Sequence, residues 1–248
     1  METTDISEEI KTLGELIAAS RKIVFFGGAG VSTESGIPDF RSSRGVYSEE
    51  YRGLSPEEII SHEFFCSRPE LFFRFYREKL VFPEAKPNGA HRALAELEKA
   101  GKLSAVVTQN IDGLHTEAGC RKVFELHGSV RRNTCLRCGR KYGLDAVMGT
   151  DGIPLCPECG GIIKPDVVLY GEQLPSDAVE GALDAIEKAD LLIIAGTSLA
   201  VYPAAGFINS FTGRASVVIN LTPTSADRKA DLVIHGKVGE VMEKAVKS

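Results

Sequence analysis

No stretch of this chain is apolar for long enough to cross a bilayer: its longest runs, such as Leu191-Leu192-Ile193-Ile194-Ala195, fall far short of the ~20 residues that a spanning helix needs. Positive charge is also scarce. Lys and Arg number 29 against 34 Asp and Glu, a formal net charge of -5, which argues against a protein that holds nucleic acid by neutralising phosphates. The opening residues Met1-Glu2-Thr3-Thr4-Asp5-Ile6-Ser7-Glu8-Glu9 lack the basic-then-apolar pattern of a secretory leader. The expectation is a cytoplasmic protein with no membrane segment and no nucleic-acid partner. Cysteine is sparse too, yet four of the six fall in two C-x-x-C pairs. In a reducing compartment that pattern points to metal ligation before disulfides.

What is present is enough apolar residue, 43% of 248, for one large core and a smaller satellite. Ile10, Leu13, Leu16 and Ile17 recur at helical spacing, and Ile23-Val24-Phe25-Phe26 then forms a short apolar run ending in Gly27-Gly28-Ala29-Gly30. Similar runs at Leu103 to Val107, Leu191 to Ala195, Ser216 to Ile219 and Leu232 to Ile234 are separated by segments of helical periodicity. Such alternation predicts an α/β fold, a Rossmann-like doubly wound parallel sheet. Two segments break the rhythm. Residues 55–87 show no strand, begin with the capping-box pattern Ser55-Pro56-Glu57-Glu58 and continue with a helix from Pro69; a further helix is expected from Asn88. Residues 130–165 hold the paired cysteines and too few large apolar side chains to make a core without a staple. The expected organisation is one nucleotide-binding domain made of 1–54, 88–129 and 166–248. A helical insertion (55–87) and a zinc-ribbon insertion (130–165) form the smaller lobe.

The turn Gly28-Ala29-Gly30, after a strand and before an expected helix, would let backbone N–H groups approach a pyrophosphate. Thr33 stands where the dinucleotide fingerprint wants its third glycine, and no acidic residue ends a second strand about twenty residues on. A hydride-transferring dehydrogenase is therefore disfavoured. Past the strand at Leu103 to Val107 come two amides and a carboxylate, Gln109, Asn110 and Asp112, which can orient ribose hydroxyls and a carboxamide. His127 follows the apolar Phe124-Glu125-Leu126, and an imidazole with a reference pKa of about 6.5 can take a proton near neutrality. His62, His91, His115 and His235 read as structural. Cys135-x-x-Cys138 and Cys156-x-x-Cys159, with seventeen residues between the pairs, have the spacing of a four-thiolate zinc ribbon, whose closed shell makes the metal structural. Cys66 and Cys120 match no motif and read as ordinary thiols.

The glycine turn continues as Val31-Ser32-Thr33-Glu34-Ser35-Gly36-Ile37-Pro38-Asp39-Phe40-Arg41. With Thr108-Gln109-Asn110-Ile111-Asp112-Gly113-Leu114-His115, Leu126-His127-Gly128, the paired cysteines, Gly171-Glu172, Gly196-Thr197-Ser198-Leu199 and Val218-Ile219-Asn220, this resembles the sirtuins over almost the whole chain. One departure stands out: the family commonly opens with Thr-Gly-Ala-Gly, and here Gly27 takes the first position, an exchange expected to loosen the turn without removing phosphate binding.

The resemblance implies an NAD-consuming protein-lysine deacylase acting on acetylated lysine in proteins or peptides, with one structural zinc. Nicotinamide leaves NAD, the acyl oxygen attacks the ribose carbon to give an alkylimidate, and His127 then acts as base on a ribose hydroxyl. Water completes release of lysine and O-acyl-ADP-ribose. By the same resemblance Asn110 and Asp112 position the nicotinamide ribose and amide, Asp39 lines the nicotinamide pocket beside Ile111, and Phe40 covers the reactive face of the sugar. Gly28, Ala29, Gly30, Thr33 and Arg41 hold the phosphates and nearby ribose, with Gly196, Thr197 and Ser198 on the phosphate side. Asn220 and Leu221 lie at the cofactor's adenosine end, and Gln109 and Val238 line its site. The substrate backbone is expected to add as a strand between two edges, with Val168, Gly171 and Glu172 on one and Val201 on the other.

Sirtuins that remove acidic acyl groups carry a Tyr-x-x-Arg pair in the helical insertion. Neither Arg74 nor Arg77 has Tyr three positions before it, so acetyl and other neutral acyl groups are favoured. Two other readings stay open at this point: a protein mono-ADP-ribosyltransferase using the same site, and a non-catalytic NAD-binding or zinc-ribbon interaction module.

Overall fold

A computed structural model describes residues 5–247; the first four residues of the acidic opening, and of the segment expected to begin at residue 1, lie outside them. In chain order come α1 (Ser7–Ala19), β1 (Ile23–Gly27), α2 (Pro56–Ile59), α3 (His62–Ser67), α4 (Pro69–Phe75), a π turn (Tyr76–Leu80), α5 (Gly89–Lys99) and β2 (Leu103–Thr108). Then follow α6 (Leu114–Glu117), β3 (Val123–Glu125), β4 (Gly128–Cys135), β5 (Lys141–Tyr142), α7 (Asp145–Met148) and β6 (Ile163–Val167). The chain closes with α8 (Ser176–Glu187), β7 (Leu191–Ala195), a 3-10 segment (Ala204–Ser210), β8 (Ala215–Asn220), β9 (Leu232–His235) and α9 (Val238–Lys247).

The large lobe is a six-stranded sheet in the order β3-β2-β1-β7-β8-β9, with every pair parallel. The chain steps outward from β1 to β3 and then returns to the other side of β1, so the order reverses between β1 and β7. Beyond the carboxyl ends of strands at such a reversal, open sheets leave a crevice for ligands. Every residue of β1 is buried, and successive side chains alternate between two cores. Ile23 and Phe25 pack with Leu13 and Ile17 of α1, Leu94 of α5 and Met242 of α9. Val24 and Phe26 pack with Ala182 and Ile186 of α8 and with Phe207.

The small lobe has its own core. Phe64, Phe65, Phe72, Phe73, Phe75 and Tyr76 from the helical segment pack with Val130, Val147, Ile163 and three of the ribbon cysteines, Cys135, Cys156 and Cys159. A three-stranded antiparallel sheet, β5-β4-β6, carries the ribbon. Val46, Tyr51 and Leu54, ahead of residue 55, and Val167 and Leu169, after residue 165, belong to this same cluster. Arg77 ties its two halves together, with Nε donating to the Val147 carbonyl at 2.8 Å and the guanidinium also donating to Asp151 and Gly152.

Two local expectations need correction. No α-helix follows the glycine turn: Ala29–Val31 and Thr33–Ser35 are single 3-10 turns, ended by Gly36 at φ +83° with Pro38 two residues on. A left-handed residue followed by proline cannot propagate a helix. Nor does Gly27 loosen the turn, because it is the last residue of β1 and pairs with Thr108 on one side and Ala195 on the other.

Candidate functional site

All six parallel strands deliver residues to one cavity of about 580 Å³ at their carboxyl ends. From β1 come Ala29, Gly30 and Thr33; from β2 Gln109, Asn110 and Ile111; from β3 His127. From β7 come Gly196, Thr197 and Ser198, from β8 Asn220 and Leu221, and from β9 Gly236 to Val238 at the start of α9. The loop residues Asp39, Phe40 and Arg41 close one side, and Val168, Gly171, Glu172 and Val201 line the side toward the small lobe. Tyr47, Tyr202, Thr222 and Lys237 also line it, and the motif reading did not single them out.

Two glycine-rich turns clasp each other at the centre. Gly28 N–H donates to the Ala195 carbonyl at 3.1 Å and Gly30 N–H to the Gly196 carbonyl at 2.8 Å. A Cβ on Gly30 would stand 2.8 Å from Gly196 Cα, and Gly196 itself sits at φ +59°. Of the N–H groups expected to approach a pyrophosphate, those of Gly28 and Gly30 are thereby engaged within the protein. They are spent on docking one turn against the other, and Gly28 lies behind the cavity lining. What faces the ligand is a backbone surface kept bare of side chains. Arg41, whose guanidinium stacks 5.4 Å from the Tyr47 ring centre, adds positive charge at the cavity wall.

His127 leaves β3 with its Nδ1 2.9 Å from the Gln109 carbonyl. A carbonyl only accepts, so Nδ1 carries the proton and Nε2 keeps its lone pair. Burial pushes the imidazole below its ordinary pKa, against the upward pull of that carbonyl. At neutral pH His127 is thus an unprotonated ring at the cavity wall, the state that a general base needs. Gly128 follows at φ +75°, where a Cβ would strike the Asp166 carbonyl, so the turn that aims His127 admits only glycine.

Asn110 and Asp112 are brought together by a residue the motif reading passed over, Ser32. Asn110 Nδ2 donates to Ser32 Oγ at 3.0 Å, and Ser32 Oγ donates to Asp112 Oδ2 at 2.7 Å. Burial raises the Asp112 carboxyl above the ordinary range, opposed by the Leu114 N–H, the Ser32 hydroxyl and Arg131. Asp112 does not line the main cavity. With Ser32, Ile37, Pro38, Asn110 and Ile111 it lines a second, much smaller one of about 30 Å³ behind Ala29 and Phe40. Asp39 does not join it, since its Oδ1 accepts the N–H groups of Arg41 and Ser42 at 2.9 and 2.7 Å and so shapes the loop.

A second relay spans the strand ends: Thr197 Oγ1 donates to Gln109 Oε1 at 3.3 Å, and Asn220 Nδ2 donates to the Thr197 carbonyl at 2.8 Å. Gln109 Nε2 is left buried without a protein acceptor. A buried orphan donor beside a ligand-sized cavity calls for an acceptor from outside. Together with the bare glycine surface, the chemistry fits a dinucleotide.

Along the groove, the N–H groups of Val168, Leu169 and Tyr170 are already taken by the His127 carbonyl, Glu172 Oε2 and the Ile60 carbonyl. Less of this edge is open to strand addition than expected. Glu172 lines the groove, but its carboxylate is fully engaged, with Oε1 2.9 Å from His62 Nδ1 and Oε2 3.1 Å from Lys164 Nζ. It shapes the edge that a substrate would meet.

The four ribbon cysteines bring their Sγ atoms within 4.8 Å of one another, with Cys135 to Cys159 at 3.4 Å and Cys138 to Cys156 at 3.7 Å. These separations are far longer than a disulfide bond of about 2.05 Å. They approach the ~3.8 Å edge of a tetrahedron of sulfurs each ~2.3 Å from a central zinc. Four thiols with no oxygen or nitrogen donor suit zinc and leave no position for substrate.

With this geometry in place, the comparisons are concordant. The Sir2 family profile matches residues 28–203. A Clostridium perfringens protein named NAD-dependent protein deacetylase is 56% identical over 243 residues, covering 97% of this chain and 100% of that one. A solved Sir2 structure with a p53 peptide and NAD+ superposes with a TM-score of 0.83 at 40% identity, covering 98% of each chain. Another, with a deacetylated p53 peptide and 3'-O-acetyl ADP ribose, gives 0.86 at 41% identity over 96% of this chain and 97% of that one. The chain belongs to the Sir2 family, the sirtuins.

Proposed function

We propose that this protein is an NAD-dependent protein-lysine deacetylase that transfers acetyl groups from lysine to ADP-ribose. The observation that carries the reading is His127: a neutral imidazole, fixed through Nδ1 to the Gln109 carbonyl, at the wall of a cavity shaped for a dinucleotide. The homologous deacetylase and the peptide and acetyl-ADP-ribose complexes of Sir2 enzymes support it.

NAD, consumed as a co-substrate, supplies an electrophilic ribose carbon when nicotinamide leaves. Within this reading the clasped turns, Arg41, Thr197 and Asn220 hold the phosphate and adenosine parts. Asn110, with Ser32 and Asp112 behind it, orients the nicotinamide end. Phe40, half-buried and packed 5.2 Å from the Tyr47 ring, shields the reacting carbon from water. His127 Nε2 accepts the proton of a ribose hydroxyl. Cys135, Cys138, Cys156 and Cys159 would hold a zinc that supplies cohesion and no reaction step, and thiolate ligands suit a reducing, cytoplasmic setting.

A neutral acyl group is the preferred cargo. Arg77, one arginine in reach by sequence, is committed to three ribbon carbonyls, while Arg74 is exposed and lines neither cavity. The test is nicotinamide release from NAD with and without acetyl-lysine peptide, with products identified by mass spectrometry. Release is expected to require peptide and to yield O-acetyl-ADP-ribose. Peptide-independent release, or ADP-ribosylated protein as the product, overturns the assignment. Faster turnover of a matched succinyl peptide overturns the acyl preference.

A further inference from the structure

Outside the cavity, α3 places His62 and Cys66 four residues apart, hence on one face of the helix. Cys66 Sγ lies 3.5 Å from His62 Nε2, and His62 Nδ1 lies 2.9 Å from Glu172 Oε1. Glu172 is itself anchored through Oε2 by the Leu169 N–H at 2.9 Å and by Lys164 Nζ at 3.1 Å. Thiol, imidazole and carboxylate therefore stand in line, with each ring nitrogen engaged. That is the signature of an activated nucleophile: a base in reach of the thiol, and a third group that orients the base. The two ring nitrogens face opposite ways, so the three donors do not converge on a common point as metal ligands must. Cys66 is exposed, so a small reagent can reach it. Cys120 offers the contrast: it is buried, and burial, aided by Glu98, pushes its thiol up to about 12.

The cluster also touches the substrate groove. His62 N–H donates to the Tyr170 carbonyl at 2.9 Å, and Tyr170 N–H donates to the Ile60 carbonyl at 3.0 Å. The first turn of α3 and the groove segment Leu169–Glu172 are thus joined through both backbone and side chain.

We propose that Cys66, with His62 as its base and Glu172 as the orienting group, is a site of reversible oxidation by hydroperoxides that adjusts the groove edge. His62 Nε2 takes the thiol proton. The thiolate sulfur attacks one peroxide oxygen, an S–O bond forms, the O–O bond breaks, and the departing hydroxide takes the proton from His62 as water. Sulfur is oxidised to the sulfenic acid and the peroxide is reduced. A low-molecular-weight thiol reverses the change by displacing water to form a mixed disulfide, which a second thiol then reduces. The added oxygen occupies the space between Sγ and Nε2. His62 must then shift, and Glu172 and Tyr170 with it.

The coupling to catalysis rests on the deacetylase reading; the reactivity of the thiol does not. The experiment treats the zinc-loaded full chain with limiting hydrogen peroxide, traps sulfenic acid with a 1,3-dicarbonyl probe and maps the labelled cysteines by mass spectrometry. Cys66 is expected to label at least about tenfold faster than Cys120, and about tenfold faster than in His62→Gln, with Glu172→Gln showing a smaller loss. Equal labelling of Cys66 in the wild type and in both variants overturns the activation. In the second arm, peroxide raises the KM for acetyl-lysine peptide in the wild type with zinc content unchanged, a thiol reductant restores it, and Cys66→Ser turns over normally but is insensitive. An unchanged KM with Cys66 fully oxidised overturns the coupling. Failure of deacetylation altogether leaves the labelling arm readable, so the two failures are distinct.

Discussion

The two lobes are held together by different physics. The large lobe is built on strands buried on both faces, with aliphatic side chains from α1, α5 and α9 on one side and α8 on the other. Its stability comes from apolar surface removed from water. The small lobe pairs an aromatic cluster, with Phe65 and Phe72 ring centres 5.0 Å apart at 80°, with a ribbon whose strands β4, β5 and β6 have little apolar residue of their own. There four sulfurs supply the cohesion. The division also sorts the cavity: the self-sufficient lobe carries His127, Asn110 and the glycine clasp, and the stapled lobe supplies the far wall of the groove.

The largest effect is expected from cutting the staple. Removing zinc, or replacing Cys156 with Ala, should unfold the ribbon while the six-stranded sheet persists, since structural zinc contributes about 10–16 kcal/mol in comparable sites. Hydrogen exchange reads this directly: fast exchange across residues 130–165 with protected β1 and β7 amides is the expected result. Protected ribbon amides without metal would mean that the small lobe needs no staple. Next, His127→Ala should lower deacetylation about 10²–10⁴-fold while moving the unfolding midpoint little, showing that chemistry and cohesion are separate in the large lobe. A parallel loss of both would erase that separation.

Smaller still, Gly30→Ala places a methyl 2.8 Å from Gly196 Cα and should cost about 1–3 kcal/mol as overpacking. It should also raise the KM for NAD, because the clasp shapes the phosphate surface. An unchanged KM for NAD would show that the clasp plays no part in binding.

The mildest test is pH. His91 of α5 and His115 of α6 are buried with ring centres 4.6 Å apart. Burial lowers both, helped by Arg92 at His91 and by His91 at His115, and takes His91 to about 4. The unfolded chain therefore binds these protons first. Stability is full above about 6.5, the reference histidine value, and falls as pH drops from there to about 4, by roughly 2 kcal/mol at pH 5 for His91. Urea midpoints at pH 7 and 5 measure it, and His91→Gln should flatten the slope. If the wild-type midpoint does not move, the pair is not buried neutral.

Legibility in the sequence followed the range of the interactions. Strands β1, β2, β7 and β8 were readable because burial on both faces makes their runs nearly continuously apolar, and the edge strand β9, with one buried residue, still showed its Leu232-Val233-Ile234 run. Strand β3 was marked only by the short stretch Phe124-Glu125-Leu126 ahead of His127, since just two of its three residues are apolar. The four-cysteine cluster was legible because each knuckle is local. Ser32 escaped because its meaning lies in contacts 78 and 80 residues away in sequence, with Asn110 and Asp112. Cys66 and His62, read as an ordinary thiol and a structural histidine, gained significance only from Glu172, 110 residues away from His62.

By itself, then, the sequence determined the architecture and the family and singled out the four clustered cysteines and His127 as candidates, because periodicity, spacing and short motifs are properties of neighbouring residues. Only the tertiary structure decided that the glycine N–H groups are spent on a clasp, that Asp112 works through Ser32, and that Glu172 braces the groove. Each of these depends on which strand ends meet at the reversal of the sheet and on how the small lobe closes over them, and hydrogen bonds made there join residues that no local pattern relates.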